Sequence, residues 1–335
     1  MRLFAVCGRY TENWMTTNRW PVLRLAVFLA VFLGAQLISG QSQDDGAVIS
    51  TGWAVPLTPW GVPDLQGVWD YRTMTPLQRP PEFTGKAVLT DEEAAAYRIR
   101  TLEERADYDR NPSVHAKWWL DYGTELTADK RTSLVVDPLD GRIPDLTPKA
   151  RQRLNAVARR RRDHPADAAD YRSLTERCLT FGTPRLPGAY NNNYLILQTP
   201  EHIIVHSEMI HDTRIIPLSS FSSLPPEIPQ WHGDGRGRWD GDTLIVESAS
   251  YSPKGAFRGA SAQLRLVERF TRVDPDTIRY EVTVDDPATW ISTWTAAFPM
   301  TRSEQPMFEY ACHEGNYGLQ NILINARVAE RAALK

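Results

Sequence analysis

These 335 residues predict a mainly β protein with a helical insertion. Its strands are expected to form an antiparallel meander, closed into a barrel or stacked as a sandwich, with a C-terminal helix after them. Three observations lead there. Past residue 190, β-rich runs follow one another at short intervals, separated by Asp-Gly or Pro-containing turns. Within Thr277–Val284, apolar Ile278, Tyr280, Val282 and Val284 alternate with Thr277, Arg279, Glu281 and Thr283, the period of a strand with one dry face. Helix-opening signals, in contrast, are confined to an insertion at about 90–162 and to the C-terminal end.

The elements follow in order. Residues 43–62 carry Gly, Pro and Ser without period and read as a linker or extended arm, and 63–335 as a single β-rich domain. Pro63-Asp64-Leu65-Gln66-Gly67-Val68-Trp69-Asp70 reads as a turn entering a strand. Thr90 with Glu93 three residues on forms a capping box and opens a helix expected to reach about Arg110. Thr147-Pro148 opens a second, because proline loses no hydrogen bond in the first helical position; it runs to Arg159–Arg162. Tyr194–Gln198 and His202–Met209 read as a hairpin, and Thr213–Leu218 as a further strand. Arg238-Trp239 and Thr243–Ser248 flank the tight turn Asp240-Gly241-Asp242, and Leu264–Arg272 and Thr277–Val284 flank Asp274-Pro275-Asp276. Trp290–Phe298 and Met307–Cys312 complete the strands, and Leu319–Ala333 is the closing helix.

Compartment comes from the other end of the chain. Arg19 and Arg24 precede the uncharged apolar run Leu25–Ile38, and Gly40 and Ser42 supply the small residues of a cleavage site. Residues 1–42 therefore read as a signal peptide cut after Ser42, with translation starting at Met1 or Met15 and an uncleaved anchor as the alternative. The mature protein is expected to be periplasmic or secreted, touching membrane only through the leader. Net charge is -3, and the one basic run, Arg159–Arg162, has no interleaved aromatics, which argues against nucleic acid as a partner. Cys178 and Cys312 remain once Cys7 leaves with the leader; in an oxidising compartment a disulfide between them is expected, with a reactive thiol as the other reading.

Three segments together resemble a large group of exported bacterial proteins of uncharacterised function: PDLQGVW at 63–69, GRWDGDTL at 237–244 and EYACHEGN at 309–316. That resemblance implies export and a single domain, and transfers no activity. The Gly67-Val68-Trp69 element entering the first strand is also similar to that of lipocalins, from which the insertion at 90–162 departs.

Signature motifs of hydrolases, nucleotide binders and zinc proteases are missing from the sequence. Chemistry has two candidate clusters, His206/Glu208/His211 and Cys312-His313-Glu314 with Glu309. Brought together by the fold, His206, His211 and His313 with a carboxylate would make a zinc ligand set. Without metal, Glu208, His211, His313 and Glu314 would act as acids and bases. Against both stands the plainer reading of strand histidines as ordinary polar residues, with Glu208 paired to Arg214. Ligand contacts are expected from Tyr190 beside Asn191–Asn193, from Trp231 in a Gly-rich loop that is either a rim or a connection, and from Trp290 and Trp294 on one strand face, unless these are core. Arg265, Arg269 or Arg279 would orient an acidic ligand. The expected function is binding of a small apolar or carbohydrate-like molecule; alternatives are an extracytoplasmic hydrolase or lyase, and an interaction protein docking through its N-terminal arm. Whether His211 and His313 converge separates binding from catalysis.

Overall fold

The computed structural model describes residues 53–108, 121–218, 224–225, 227–254 and 257–334. The leader at 1–42, with Met15 and Cys7, and the arm as far as residue 52 lie outside them. No helix among the described residues is long and apolar enough to cross a membrane.

Among the described residues, ten strands form one sheet. They are β1 (Gly67–Asp70), β2 (Val135–Asp137), β3 (Asn193–Gln198), β4 (His202–Ser207), β5 (Thr213–Pro217), β6 (Asp234–Asp240), β7 (Thr243–Ala249), β8 (Arg265–Asp274), β9 (Thr277–Asp285) and β10 (Trp294–Ser303). Hydrogen-bonded neighbours run β5-β4-β3-β1-β10-β9-β8-β7-β6, all antiparallel, and β2 adds a short pairing to β10. The result is the expected barrel, nearly closed. Its open seam lies between β5 and β6, and side chains rather than backbone bonds fill it. Gly237 of β6 lets β5 come close: a methyl group there would lie 2.8 Å from Leu218 Cδ2 and 3.2 Å from Ile216 Cγ2.

Alternation decides what the barrel contains. Leu266, Glu268 and Phe270 of β8 and Ile278, Tyr280, Val282 and Val284 of β9 face inward and are buried. Phe270 and Tyr280 are directly paired across strands with ring centroids 4.8 Å apart, and Tyr280 pairs next with Phe298 of β10 at 4.9 Å. Trp69, Tyr71 and Trp294 complete an interior of large rings, all below 2 % exposed. An aromatic filling of this density leaves the barrel axis to side chains, unlike a lipocalin cup.

One charge pair sits inside that filling. The Arg214 guanidinium, from β5, forks onto Glu268, with Nη1 donating to Oε1 at 2.9 Å and Nη2 to Oε2 at 2.5 Å. The Tyr280 hydroxyl donates to the same Oε1 at 2.8 Å. Desolvation disfavours the Arg214 charge, but Glu268 outweighs it through charge and hydrogen bonds, so its pKa is raised. Glu208 is therefore not the partner of Arg214.

The insertion holds the two expected helices, α1 (Asp91–Tyr108) and α2 (Pro148–Asp163), and α3 (Tyr317–Ala333) closes the chain. The capping box forms in both directions: the Glu93 N–H donates to Thr90 Oγ1 at 3.3 Å, and the Thr90 N–H to Glu93 Oε2 at 2.9 Å. Thr147 caps α2 by accepting from the Ala150 N–H at 3.1 Å.

Two strand boundaries differ from expectation. Trp290 stands outside β10, bridged to Leu146 and donating its N–H to the Asp286 carbonyl at 2.9 Å, because 286–293 turns the chain back between β9 and β10. Met307–Cys312 is not a strand. This alternating segment joins neither edge of the sheet, β5 or β6, and crosses the surface as an irregular strap, with Phe308 left 70 % exposed.

Candidate functional site

The strap is tied down by the expected disulfide between Cys178 and Cys312. Between it, the segment around residue 176, the β3–β4 end of the barrel and the first turns of α3 opens a cleft of about 850 Å³. Its floor begins where β3 starts. Asn193 Nδ2 donates to Glu208 Oε2 at 2.8 Å, and the Glu208 N–H donates to the Asn193 carbonyl at 3.0 Å. Both side chains thus present fixed polar groups to the cleft. The preceding turn is held by buried Asn192, whose Nδ2 donates to the carbonyls of Asp121 and Gly188, both at 3.0 Å.

Backbone strain gathers around this floor. Cys178 and Asn191, which line the cleft, have φ of 53° and 54°. Just past Glu208, Ile210 and His211 have φ of 58° and 46°. A buried β-branched residue in the left-handed region is costly, and such conformations persist where surrounding structure holds them, often beside functional groups. This turn ends β4 at Ser207, so Glu208 does not continue the strand face of His206. It also carries His211 to the strap, where Nδ1 lies 3.1 Å from the Tyr310 carbonyl. That contact fixes Nδ1 as the protonated nitrogen and leaves Nε2 as the free one.

Electrostatically the cleft is one-signed. Asp121 and Glu176 line it but are balanced by Arg72 and Arg172. Among the described residues, Glu208, Glu309 and Glu314 have no ion-pair partner and no Lys or Arg lines the cleft. Two phenols, Tyr190 and Tyr310, supply its aromatic surface. Partial burial raises the Tyr310 pKa, with Tyr190 adding to the shift and Arg185 opposing it.

The predicted residues divide clearly. Glu208, Glu314 and Tyr190 share the cleft. His211 and His313 do converge, with ring centroids 6.4 Å apart, but both are exposed and stand at the rim outside the lining. His206 does not join them as a third ligand: its Nδ1 bonds Thr213 Oγ1 at 2.7 Å, and partial burial, aided by His211, lowers its pKa. Among the described residues no group of three His, Cys, Asp or Glu side chains is placed to hold a metal, so the expected zinc set is not assembled.

Trp290 and Trp294 are core residues, packed edge to face at 5.8 Å and against Phe257. Arg265, Arg269 and Arg279 lie on the exposed outer face of β8 and β9, because the strand alternation that buries their neighbours turns them to solvent. Past Trp231, itself 38 % exposed, the loop packs against the body. His232 contacts Thr183 Oγ1 at 2.9 Å and Asp212 Oδ1 at 3.4 Å, while Gly233, at φ +72°, would place a methyl group 2.6 Å from the buried Tyr251 ring. Gly233→Ala is expected to lower unfolding free energy by about 2–3 kcal/mol in a urea titration, from left-handed strain plus overpacking; an unchanged midpoint would show the loop to be free.

Sequence reasoning named Asn193 only as part of the Asn191–Asn193 turn beside Tyr190, and it missed Tyr310 as the second phenol and Asp121 as a wall. The EYACHEGN segment, pinned by its cysteine, carried the signal for Tyr310, and nothing in the sequence marked Asp121. The chain matches no protein-family model, no curated protein and no solved structure.

Proposed function

We propose that this is an extracytoplasmic protein, periplasmic or secreted, that binds a carbohydrate-like molecule, neutral or cationic, in the cleft under the strap. The carrying observation is the combination of Asn193 and Glu208, locked to each other at 2.8 Å, with two phenols and, among the described residues, a lining free of Lys and Arg. An amide beside a carboxylate offers donors and acceptors to paired hydroxyls, and phenol faces pack against the apolar side of a sugar ring. The same carboxylates repel anionic ligands. The apolar version of the expected ligand loses support, because the ring-filled barrel interior is where it would have gone.

Titration with neutral disaccharides and an amino-sugar disaccharide, followed by tyrosine and tryptophan fluorescence, tests the proposal. Saturable binding is expected, weakened about tenfold by Tyr190→Ala or Asn193→Ala, a loss of ~1.4 kcal/mol. A matched uronic-acid sugar should bind more weakly than its neutral form. If no saccharide binds, or both variants bind as the parent does, the proposal fails. The hydrolase or lyase alternative rests on the His211–His313 pair beside Glu314, and proton spectra of the same mixtures decide it: cleaved sugar supports catalysis, and unchanged bound sugar supports binding alone.

A further inference from the structure

A second cavity, of about 360 Å³, lies on the far side of Tyr190, which lines both spaces. Its walls include Leu77, Phe181, Leu186 and Phe257, and two cations reach it, Arg185 and Arg258. We infer that this cavity binds an organic monocarboxylate with a compact apolar body, anchored through its carboxylate by Arg185.

Arg185 is only 5 % exposed, yet no carboxylate among the described residues pairs with it, and its Nε has no hydrogen-bond partner. Its partners are neutral: its side chain bonds the Tyr71 hydroxyl, its guanidinium lies over the Phe181 ring at 3.9 Å, and its backbone N–H donates to the Tyr194 hydroxyl at 3.1 Å. The contrast with Arg214 is direct, since that equally buried guanidinium has Glu268 in a two-pronged bond. A buried guanidinium without a counter-ion is costly, and an aromatic face offsets only part of that cost. A carboxylate entering the cavity would supply the missing anion in the planar geometry a guanidinium matches best.

Access and shape fit this ligand. Gly188 borders the cavity beside the guanidinium, where a methyl group built on it would stand 3.8 Å from Arg185 Nη2. Arg258, at φ +48°, is directed to the same space, and partial burial lowers its pKa. The volume falls in the range of small-ligand pockets, and the apolar walls favour a ligand body of aromatic-ring size over a bare inorganic anion. This site stands independently of the saccharide cleft, and failure of either leaves the other untouched.

Calorimetric titration of the full chain with phenylacetate, phenylacetamide and inorganic phosphate tests the inference. Phenylacetate should bind saturably, phenylacetamide at least about tenfold more weakly, and Arg185→Met should weaken phenylacetate by roughly 10–100-fold, the range for hydrogen bonds to a charged group. Should Arg185→Met fail to fold, Gly188→Val, which narrows the approach while keeping every cation, should weaken phenylacetate in a protein of unchanged circular dichroism. The inference is overturned if phenylacetate gives no saturable heat, if the amide or phosphate binds equally well, or if both folded variants bind as the parent does.

Discussion

Glu268→Ala should lower the unfolding free energy by about 3–5 kcal/mol, because it leaves the Arg214 guanidinium buried without its anion. Glu268 is 0 % exposed and accepts from both Nη atoms of Arg214 and from the Tyr280 hydroxyl, so three donors lose their acceptor together. Arg214→Ala should cost a similar amount by stranding the carboxylate. Replacing both at once, Arg214→Met with Glu268→Leu, should recover much of the loss, since neither charge then needs a partner. Urea titration of the parent, the two alanine singles and the Arg214→Ala/Glu268→Ala double gives the coupling directly, and additive losses would show that the pair does not act as a unit. The position of the pair adds a local effect. It reaches from β5 across the one seam that backbone hydrogen bonds do not close, to β8 beyond it. Hydrogen exchange in the single variants should therefore rise first in β5 and β6, and uniform acceleration over all strands would argue against a seam clamp.

Why the sequence shows the barrel but not this clamp is a matter of range. Strand period and turn chemistry are local properties, so the alternation of Thr277–Val284 and the Asp-Gly turn after Trp239 led directly to β9 and to the β6–β7 hairpin. The capping box at Thr90 and the Pro148 start are local too, and both helices begin where they indicated. Arg214 and Glu268 are 54 residues apart, and nothing in either neighbourhood marks its charge as buried. Arg185 escaped notice for the same reason, since an arginine in sequence is presumed to face water. Alternation also misled at the strap: Phe308, Tyr310 and Cys312 have a strand's period, but the segment pairs with neither edge of the sheet. In the cleft, Glu208, Glu314 and Tyr190 were legible by residue type. The break in the chain after Ser207 that aims Glu208 was not, because it depends on non-glycine residues held left-handed by their surroundings.

Replacing both cysteines, Cys178→Ser with Cys312→Ser, should produce the other large effect and link stability to the cleft. The bridge spans a sequence separation of 134, and closing a loop of that length constrains the unfolded chain by about 4–5 kcal/mol in the chain-entropy account. Thermal unfolding of the double variant should shift down accordingly. A second loss should appear in the folded protein. Strap 304–316 forms no strand, and beyond the disulfide its described ties include the His211 contact to the Tyr310 carbonyl at 3.1 Å. Freed at Cys312, it should leave Tyr310, Glu309 and Glu314 unplaced, while the barrel, whose strands pair without it, stays folded. Saccharide binding should then fall by more than tenfold at a temperature where circular dichroism shows the barrel intact, and reduction of the parent protein should reproduce that loss. Undiminished binding by folded, reduced protein would mean that the strap is not a wall of the site, and that Asn193, Glu208 and Tyr190 suffice on the barrel alone.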